Sequence, residues 1–410
     1  MTLIDHLNRQ LHERERQGLR RQRRAAESPC APQQRIAQPG RPARDLLAFC
    51  SNDYLGLANH PALVEAIAEG ARRYGAGSGA SHLINGHTQP HAALEDELAA
   101  WMAPCIPRAQ ALGFCTGYMA NLALLTALGG ANATLFCDEP NHASLIDGAR
   151  LAKAQVQRYA HCDPTALELQ LKQSTTPVKL IVTDAVFSMD GNLAPLPELL
   201  ALAERFDAFM IVDDAHGFGV LGARGGASLS HFGLCSQRLI YMGTPGNAAG
   251  VGGAFVAAHA TVIDWLVQTA RPYVYTTASP PSLAHALRES LRLIDGEEGN
   301  QRRAQLRRLI QSLRMHLAAL IAAYPCLGWQ LAASDTAIQP LIIGDNATAL
   351  TLAASLEAQS LWVPAIRPPT VPVGTARLRI TLSAAHGAGD VQRLVDGLSR
   401  VAQELSTARR

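Results

Sequence analysis

The sequence is short of lysine. Only three occur in 410 residues, Lys153, Lys172 and Lys179, and arginine supplies nearly all the positive charge. We read this as a genomic composition bias. Net charge is also small, at +2, which argues against nucleic acid or a membrane surface as the main partner. No run of about 18 apolar residues appears, so no transmembrane helix is expected. The N-terminus carries Glu13 and Glu15 among its arginines and lacks an apolar h-region, so no secretory signal is expected. Both absences point to the cytoplasm. The eight cysteines form no CxxC pair and no metal-ligand spacing. Several lie in apolar strand-like runs, and the expectation is buried free thiols in a reducing compartment. Internal repeats and low-complexity tracts are absent as well, which excludes a solenoid.

What is present is a globular balance, 48% hydrophobic and 17% charged residues, enough for a large core. The length alone suggests roughly two to three domains. Leu3, Leu7 and Leu11 recur at helical spacing and run into a basic stretch, Arg14 to Arg24. That stretch is either a solvated face or an arm that meets phosphate or carboxylate at a substrate entrance. The Pro-, Arg- and Gly-rich segment 33–44 reads as a linker, so residues 1–45 are expected to be a helical arm and linker.

From residue 46 to 285 short apolar strands alternate with helical patterns. Strands are expected at 109–114, 134–138, 180–184, 210–214, 239–242 and 253–257, with helices at 92–102, 120–128, 165–172 and 196–205. This alternation predicts a large α/β domain with a mostly parallel sheet. After Pro280-Pro281 the texture changes. Residues 286–410 read as a smaller α+β domain, with long helices, strands at 338–343 and 378–382, and helices at 347–359 and 390–404.

In a parallel α/β sheet, ligands bind beyond the carboxyl ends of the strands. The residues just after each strand candidate are polar and glycine-rich. Thr116-Gly117-Tyr118 opens a helix, where backbone N–H groups bind phosphate; an ordinary helix start would read the same way. His142 is placed either to stack on a flat ring or to cap a helix. Ser188 offers a hydroxyl to a ring oxygen, or simply forms a turn. Thr244 lies in a small glycine-rich loop that is either phosphate-binding or a tight turn.

Val212-Asp213-Asp214-Ala215-His216 is the most informative segment. A carboxylate at a buried strand end is costly without a cationic partner. A protonated pyridine nitrogen on Asp213, with His216 at the ring's phenolic oxygen, is one solution. A metal site, a catalytic acid/histidine pair or a plain cap are the others. In the small domain, Arg377 and Arg379 flank Leu378; an arginine pointing from a strand into a cleft binds a carboxylate bidentately, though a surface ion pair has the same signature.

Taken together and in this order, the segments resemble the α-oxoamine synthase family of fold-type I pyridoxal-phosphate (PLP) enzymes. The resemblance covers about residues 11 to 402. Its most discriminating stretches are Phe49-Cys50-Ser51-Asn52-Asp53-Tyr54-Leu55-Gly56-Leu57 and Ile366-Arg367-Pro368-Pro369-Thr370-Val371-Pro372-Val373-Gly374-Thr375-Ala376-Arg377. The resemblance implies a fold-type I transferase with PLP as cofactor. Gly117, Tyr118 and Thr244 would lie at the cofactor phosphate, with Thr276 or Thr277 reaching that of a partner subunit. His142 would stack on the ring, Asp213 would hold its nitrogen, and Ser188 and His216 would meet its phenolic oxygen. Arg20, Thr370 and Arg379 would handle substrate, Arg379 taking the amino-acid carboxylate. The implied reaction is a decarboxylative condensation of L-alanine with pimeloyl-CoA or pimeloyl-acyl-carrier protein in biotin synthesis, carried out by a homodimer.

One departure matters. The family's loop reads Gly-Thr-Leu/Phe-Gly-Lys, and its lysine bonds covalently to PLP and moves the substrate proton. Here it reads Gly243-Thr244-Pro245-Gly246-Asn247. An asparagine amide is neither an amine nucleophile nor a base near neutral pH. The chain is therefore expected to be an altered synthase, a non-catalytic paralogue or dimer partner, or a slow enzyme using His142 or water as base. PLP binding without a covalent link is the common expectation.

Overall fold

Strands that are apolar at every position, rather than at every second one, need cover on both faces. Leu239–Gly243 is of this kind, and both it and Ala133–Asp138, which is apolar but for Thr134 and Asp138, are buried at every residue. They belong to a seven-stranded sheet in the computed structural model, which describes residues 1–38 and 40–408. Across the sheet the strands run Ala109–Phe114, Ala254–His259, Leu239–Gly243, Phe209–Asp213, Val178–Asp184, Ala133–Asp138 and Gln155–Tyr159. Only Ala254–His259 runs antiparallel to its neighbours. Helices Gly117–Leu128, Ala143–Leu151, Pro164–Gln173 and Leu196–Arg205 supply the crossovers. The fold is thus the expected α/β class, and the carboxyl ends of the parallel strands share one edge.

The edge strand Gln155–Tyr159 was not anticipated. It buries only Tyr159, so it carries no apolar run to announce it. In the C-terminal region, Ile338–Gly344 and Ala376–Thr381 pair antiparallel at the centre of a four-stranded sheet. Helices Pro281–Asp295 and Glu297–Ala323 lead into it, parted at Gly296, and Asn346–Ala358 and Ala388–Ala408 complete it.

The stretch expected to be a linker is instead a hairpin. Gln33–Gln38 pairs antiparallel with Arg41–Ala48, turning through Gly40 at φ 73°. Gln34 and Ile36 are buried on one face, and Leu46 and Leu47 are buried beside them. This alternation, masked in the sequence by Pro and Arg, is what fixes the strand. Leu361–Trp362 adds to the hairpin in parallel, which ties the N-terminal segment to the C-terminal region.

The first helix, Leu3–Arg16, starts with a Thr2/Asp5 capping box but buries none of its residues; Leu3, Leu7 and Leu11 are exposed. The cysteines are all free, as expected, but only Cys105 and Cys137 are buried. Cys235 and Cys326 are exposed, so the expectation of uniformly buried thiols does not hold. Among the described residues no helix is long and apolar enough to cross a membrane.

Candidate functional site

The strand Phe209–Asp213 ends in a carboxylate that is only 4% exposed. Asp213 accepts hydrogen bonds from Asn121 Nδ2 at 2.7 Å and from the Ala215 N–H at 3.0 Å. Both donors are neutral. Burial pushes the Asp213 carboxyl above its ordinary range, and the two hydrogen bonds only partly offset this. Asp184, at the end of the next strand, is buried too and is raised by burial and then by Asp213. A cation against Asp213 would relieve both. The arrangement therefore fits a protonated ring nitrogen.

Asn121 joins Asp213 to the next element. Its Nδ2 also donates to Ser144 Oγ at 2.8 Å, and Ser144 Oγ lies 2.7 Å from His142 Nδ1. His142 caps the helix Ala143–Leu151, its ring accepting from the Ser144 N–H, while its backbone N–H donates to Asp184 at 2.7 Å. The capping reading of His142 is therefore realised, and the cap is what fixes the ring next to the acid pair.

His216 lies three residues beyond Asp213 and is half-buried. Its Nδ1 is 2.6 Å from Tyr54 Oη. Burial, with Arg379 and His142 nearby, pulls its pKa down to about 3, so the ring is neutral. Arg379 is 7% exposed and reaches the same corner. Its Nε donates to the Ser188 carbonyl at 2.6 Å, and both terminal nitrogens lie 3.4 Å from Asn52 Oδ1. Ser188 sits in a turn, half-buried, as the plainer reading had it. Arg377 points elsewhere, pairing with Asp190 and donating to the Met189 carbonyl.

The first turn of the helix Gly117–Leu128, facing Thr244, forms a cradle that could hold an anion. Thr116 caps it, accepting from the Met119 N–H at 3.2 Å, and the Ala120 N–H bonds the Thr116 carbonyl. The remaining first-turn donors, Gly117 and Tyr118 N–H, have no acceptor among the described residues. A Cβ on Gly117 would lie 2.8 Å from Thr244 Oγ1, so glycine keeps the cradle open between them. Tyr118 is exposed and its hydroxyl donates to Asp147. Across the cradle, Asn247 donates from Nδ2 to the Ala215 carbonyl at 2.7 Å, which ties the 244–250 turn to the Asp213 loop.

None of the lysines can take the place of the missing one. Lys179 is near the start of the strand that ends at Asp184, roughly 15 Å away along the chain axis. Lys153 follows the far end of the helix that His142 begins, and Lys172 closes the helix Pro164–Gln173 in a pair with Glu168.

The other expected residues stand apart. Arg20 and Thr370 line one cavity of about 1230 Å³ with Arg14, Arg21, Arg24 and Arg367. Arg20 also pairs with Glu15. Thr276 is half-buried and Thr277 exposed; the Thr277 carbonyl accepts from the Cys115 thiol, just before the cradle. Sequence reasoning gave Tyr54, Asn121, Ser144 and Asp184 no role. Their roles come from contacts across the chain, and only their polarity in buried segments could have marked them.

Comparison with known proteins follows the same line. Residues 44–398 match the family described as aminotransferase class I and II. The chain is 74% identical over 406 residues to the 8-amino-7-oxononanoate synthase of Polaromonas naphthalenivorans, covering 99% of each. A high-resolution structure of SPT with PLP is similar at a TM-score of 0.89 and 26% identity, over 99% of this chain and 100% of that one. The 8-amino-7-oxononanoate synthase of Francisella tularensis gives a TM-score of 0.72 at 28% identity, over 88% and 98%.

Proposed function

Because this chain belongs to the class I and II aminotransferase family, and within it to the 8-amino-7-oxononanoate synthases, we propose that it binds PLP without a covalent link and is impaired in the synthase reaction. That reaction is the decarboxylative condensation of L-alanine with pimeloyl-CoA or pimeloyl-acyl-carrier protein, a step of biotin synthesis. The observation that carries the impairment is the Asn247 side chain, a carboxamide engaged with the Ala215 carbonyl.

When bound, PLP supplies an electron sink for the charge left as alanine loses its α-proton. The chain's own residues do the rest. Asp213 holds the proton on the ring nitrogen, and Asn121 holds Asp213. His142 lies against the ring, fixed by its cap. Gly117, Tyr118 and Thr244 receive the phosphate, with Thr276 or Thr277 of a second copy in a homodimer. Ser188 and neutral His216 meet the phenolic oxygen. Arg379 orients the amino-acid carboxylate, and the arginine-lined cavity with Arg20 and Thr370 receives the acyl donor. Asn247 can neither hold nor return the α-proton, so only His142 or water is left as base. This chemistry belongs to the cytoplasm.

The chain has no lysine at the site, which also favours a second reading, a PLP-binding paralogue or dimer partner without turnover. The test is to mix the protein with PLP and follow its absorbance through gel filtration. PLP is expected to bind and to be lost on the column, and the Asn247→Lys variant to retain it. Stable retention through an amine link in the unaltered chain would overturn the proposal. Rescue of a biotin auxotroph by the unaltered chain would favour the slow enzyme, and rescue by Asn247→Lys alone the inactive form.

A further inference from the structure

Beside the cofactor cleft, the strand Ala133–Asp138 ends against the turn that carries His161 and Cys162, and the His161 ring packs on Phe187, next to Ser188. The Asp138 side chain is fully buried and both its oxygens are engaged. Oδ1 faces His161 Nδ1 at 3.0 Å, and Oδ2 accepts from the Cys162 N–H at 3.1 Å. The opposite ring nitrogen, His161 Nε2, lies 3.6 Å from Cys162 Sγ. This is the order carboxylate, imidazole, sulfur. In that order a buried acid fixes the ring's orientation and the ring manages the proton of a nucleophile. Asn192 lies across the pair, its Nδ2 3.0 Å from His161 Nε2 and 3.5 Å from the sulfur. The Oδ1 of the same amide is buried with no hydrogen-bond partner, an acceptor left over for a hydroxyl grown on the sulfur.

We propose that Cys162 is a nucleophilic thiol, activated by His161 and oriented through Asp138, and a site of modification by peroxides and other small electrophiles. Burial lowers the His161 pKa, but its hydrogen bonds to Asp138 and Cys162 outweigh this and raise it to about 10. Asp138 takes the ring's Nδ1–H, which leaves Nε2 to receive the thiol's proton, and the imidazolium so formed is the neighbour that favours a thiolate. At Cys50 and Cys137 burial outweighs the nearby arginines and pushes the thiols up to about 12. Cys162 is half-buried and His161 is exposed, so a small reagent can reach the pair.

With hydrogen peroxide the sulfur gives its electron pair to one peroxide oxygen and the O–O bond breaks. The S–OH bond forms, and the departing hydroxide takes the proton from His161 Nε2 and leaves as water. Sulfur is oxidised by two electrons and peroxide is reduced.

The test is alkylation of the native full-length protein by iodoacetamide at neutral pH, with each cysteine followed by peptide mass spectrometry. Cys162 is expected to react about tenfold faster than the exposed Cys235, and His161→Gln and Asp138→Asn to remove most of that advantage. Protection of the buried Cys137 in each variant shows that the fold is kept. Brief peroxide treatment followed by dimedone should label Cys162 first. A Cys162 no faster than Cys235, or equally fast in a folded His161→Gln variant, would overturn the proposal.

Discussion

Asn247 donates its side-chain N–H to the carbonyl of Ala215 at 2.7 Å, and so closes the turn after Leu239–Gly243 onto the loop after Phe209–Asp213. The amide thus fills a structural place while offering no basic lone pair. Replacing it with lysine loses this bond and restores an amine. We expect Asn247→Lys to raise turnover of L-alanine with pimeloyl-CoA by about 10²- to 10⁴-fold, the range that a positioned proton-transfer group contributes. Release of free coenzyme A thiol measures it.

Asp213 is held by two neutral donors and is ready for a cation. Asp213→Asn keeps the shape and removes the charge. The dissociation constant for PLP should rise by about 30-fold, equivalent to about 2 kcal/mol for a charge-assisted hydrogen bond. Fluorescence titration with PLP reads this directly, and an unchanged constant would remove Asp213 from the cofactor site.

The cradle between Gly117 and Thr244 has no room for a methyl group. Gly117→Ala should push Thr244 aside and weaken PLP about tenfold, while pyridoxal, which lacks the phosphate, should lose much less. Equal losses for both ligands would mean that the phosphate lies elsewhere.

Arg379 spans the Ser188 carbonyl, Thr381 and Asn52 with one guanidinium. Lysine cannot reproduce that fork. In an Asn247→Lys background, Arg379→Lys should raise the dissociation constant for L-alanine by about 10- to 100-fold and leave PLP affinity nearly unchanged. The alanine-dependent change in the cofactor's absorbance is the readout.

Asp214 is fully buried; it accepts from the Ser228 N–H at 2.8 Å and from the Tyr241 hydroxyl at 3.2 Å, yet burial still pushes its pKa up from 3.8 to about 7. A raised acid is protonated in the folded chain while the unfolded chain has already ionised. Its contribution therefore destabilises progressively as pH rises from about 4 to about 7. The thermal midpoint of cofactor-free Asp214→Asn should fall less over that interval than that of the unaltered chain. A parallel pH profile would contradict the shift.

The architecture was legible because runs such as 135–137 and 239–243 are apolar throughout, a pattern that a sheet covered on both faces explains. The site was legible as a set of polar loops after strands. Its wiring was not. Asn121 meets Asp213 across 92 residues, and His142 meets Asp184 across 42, and nothing local marks such partners. The hairpin at 33–48 was hidden for another reason. Its burial alternates Gln34 with Ile36, and a buried glutamine does not read as core.

The few lysines sit at the far ends of their elements, away from the cofactor cleft. Amine chemistry on this chain therefore starts from an almost blank background. Borohydride trapping of pyridoxal phosphate should leave the unaltered cleft peptide unmarked, whereas a single amine introduced at position 247 would yield one new tagged peptide. The chain is, in effect, a built-in negative control for its own relatives.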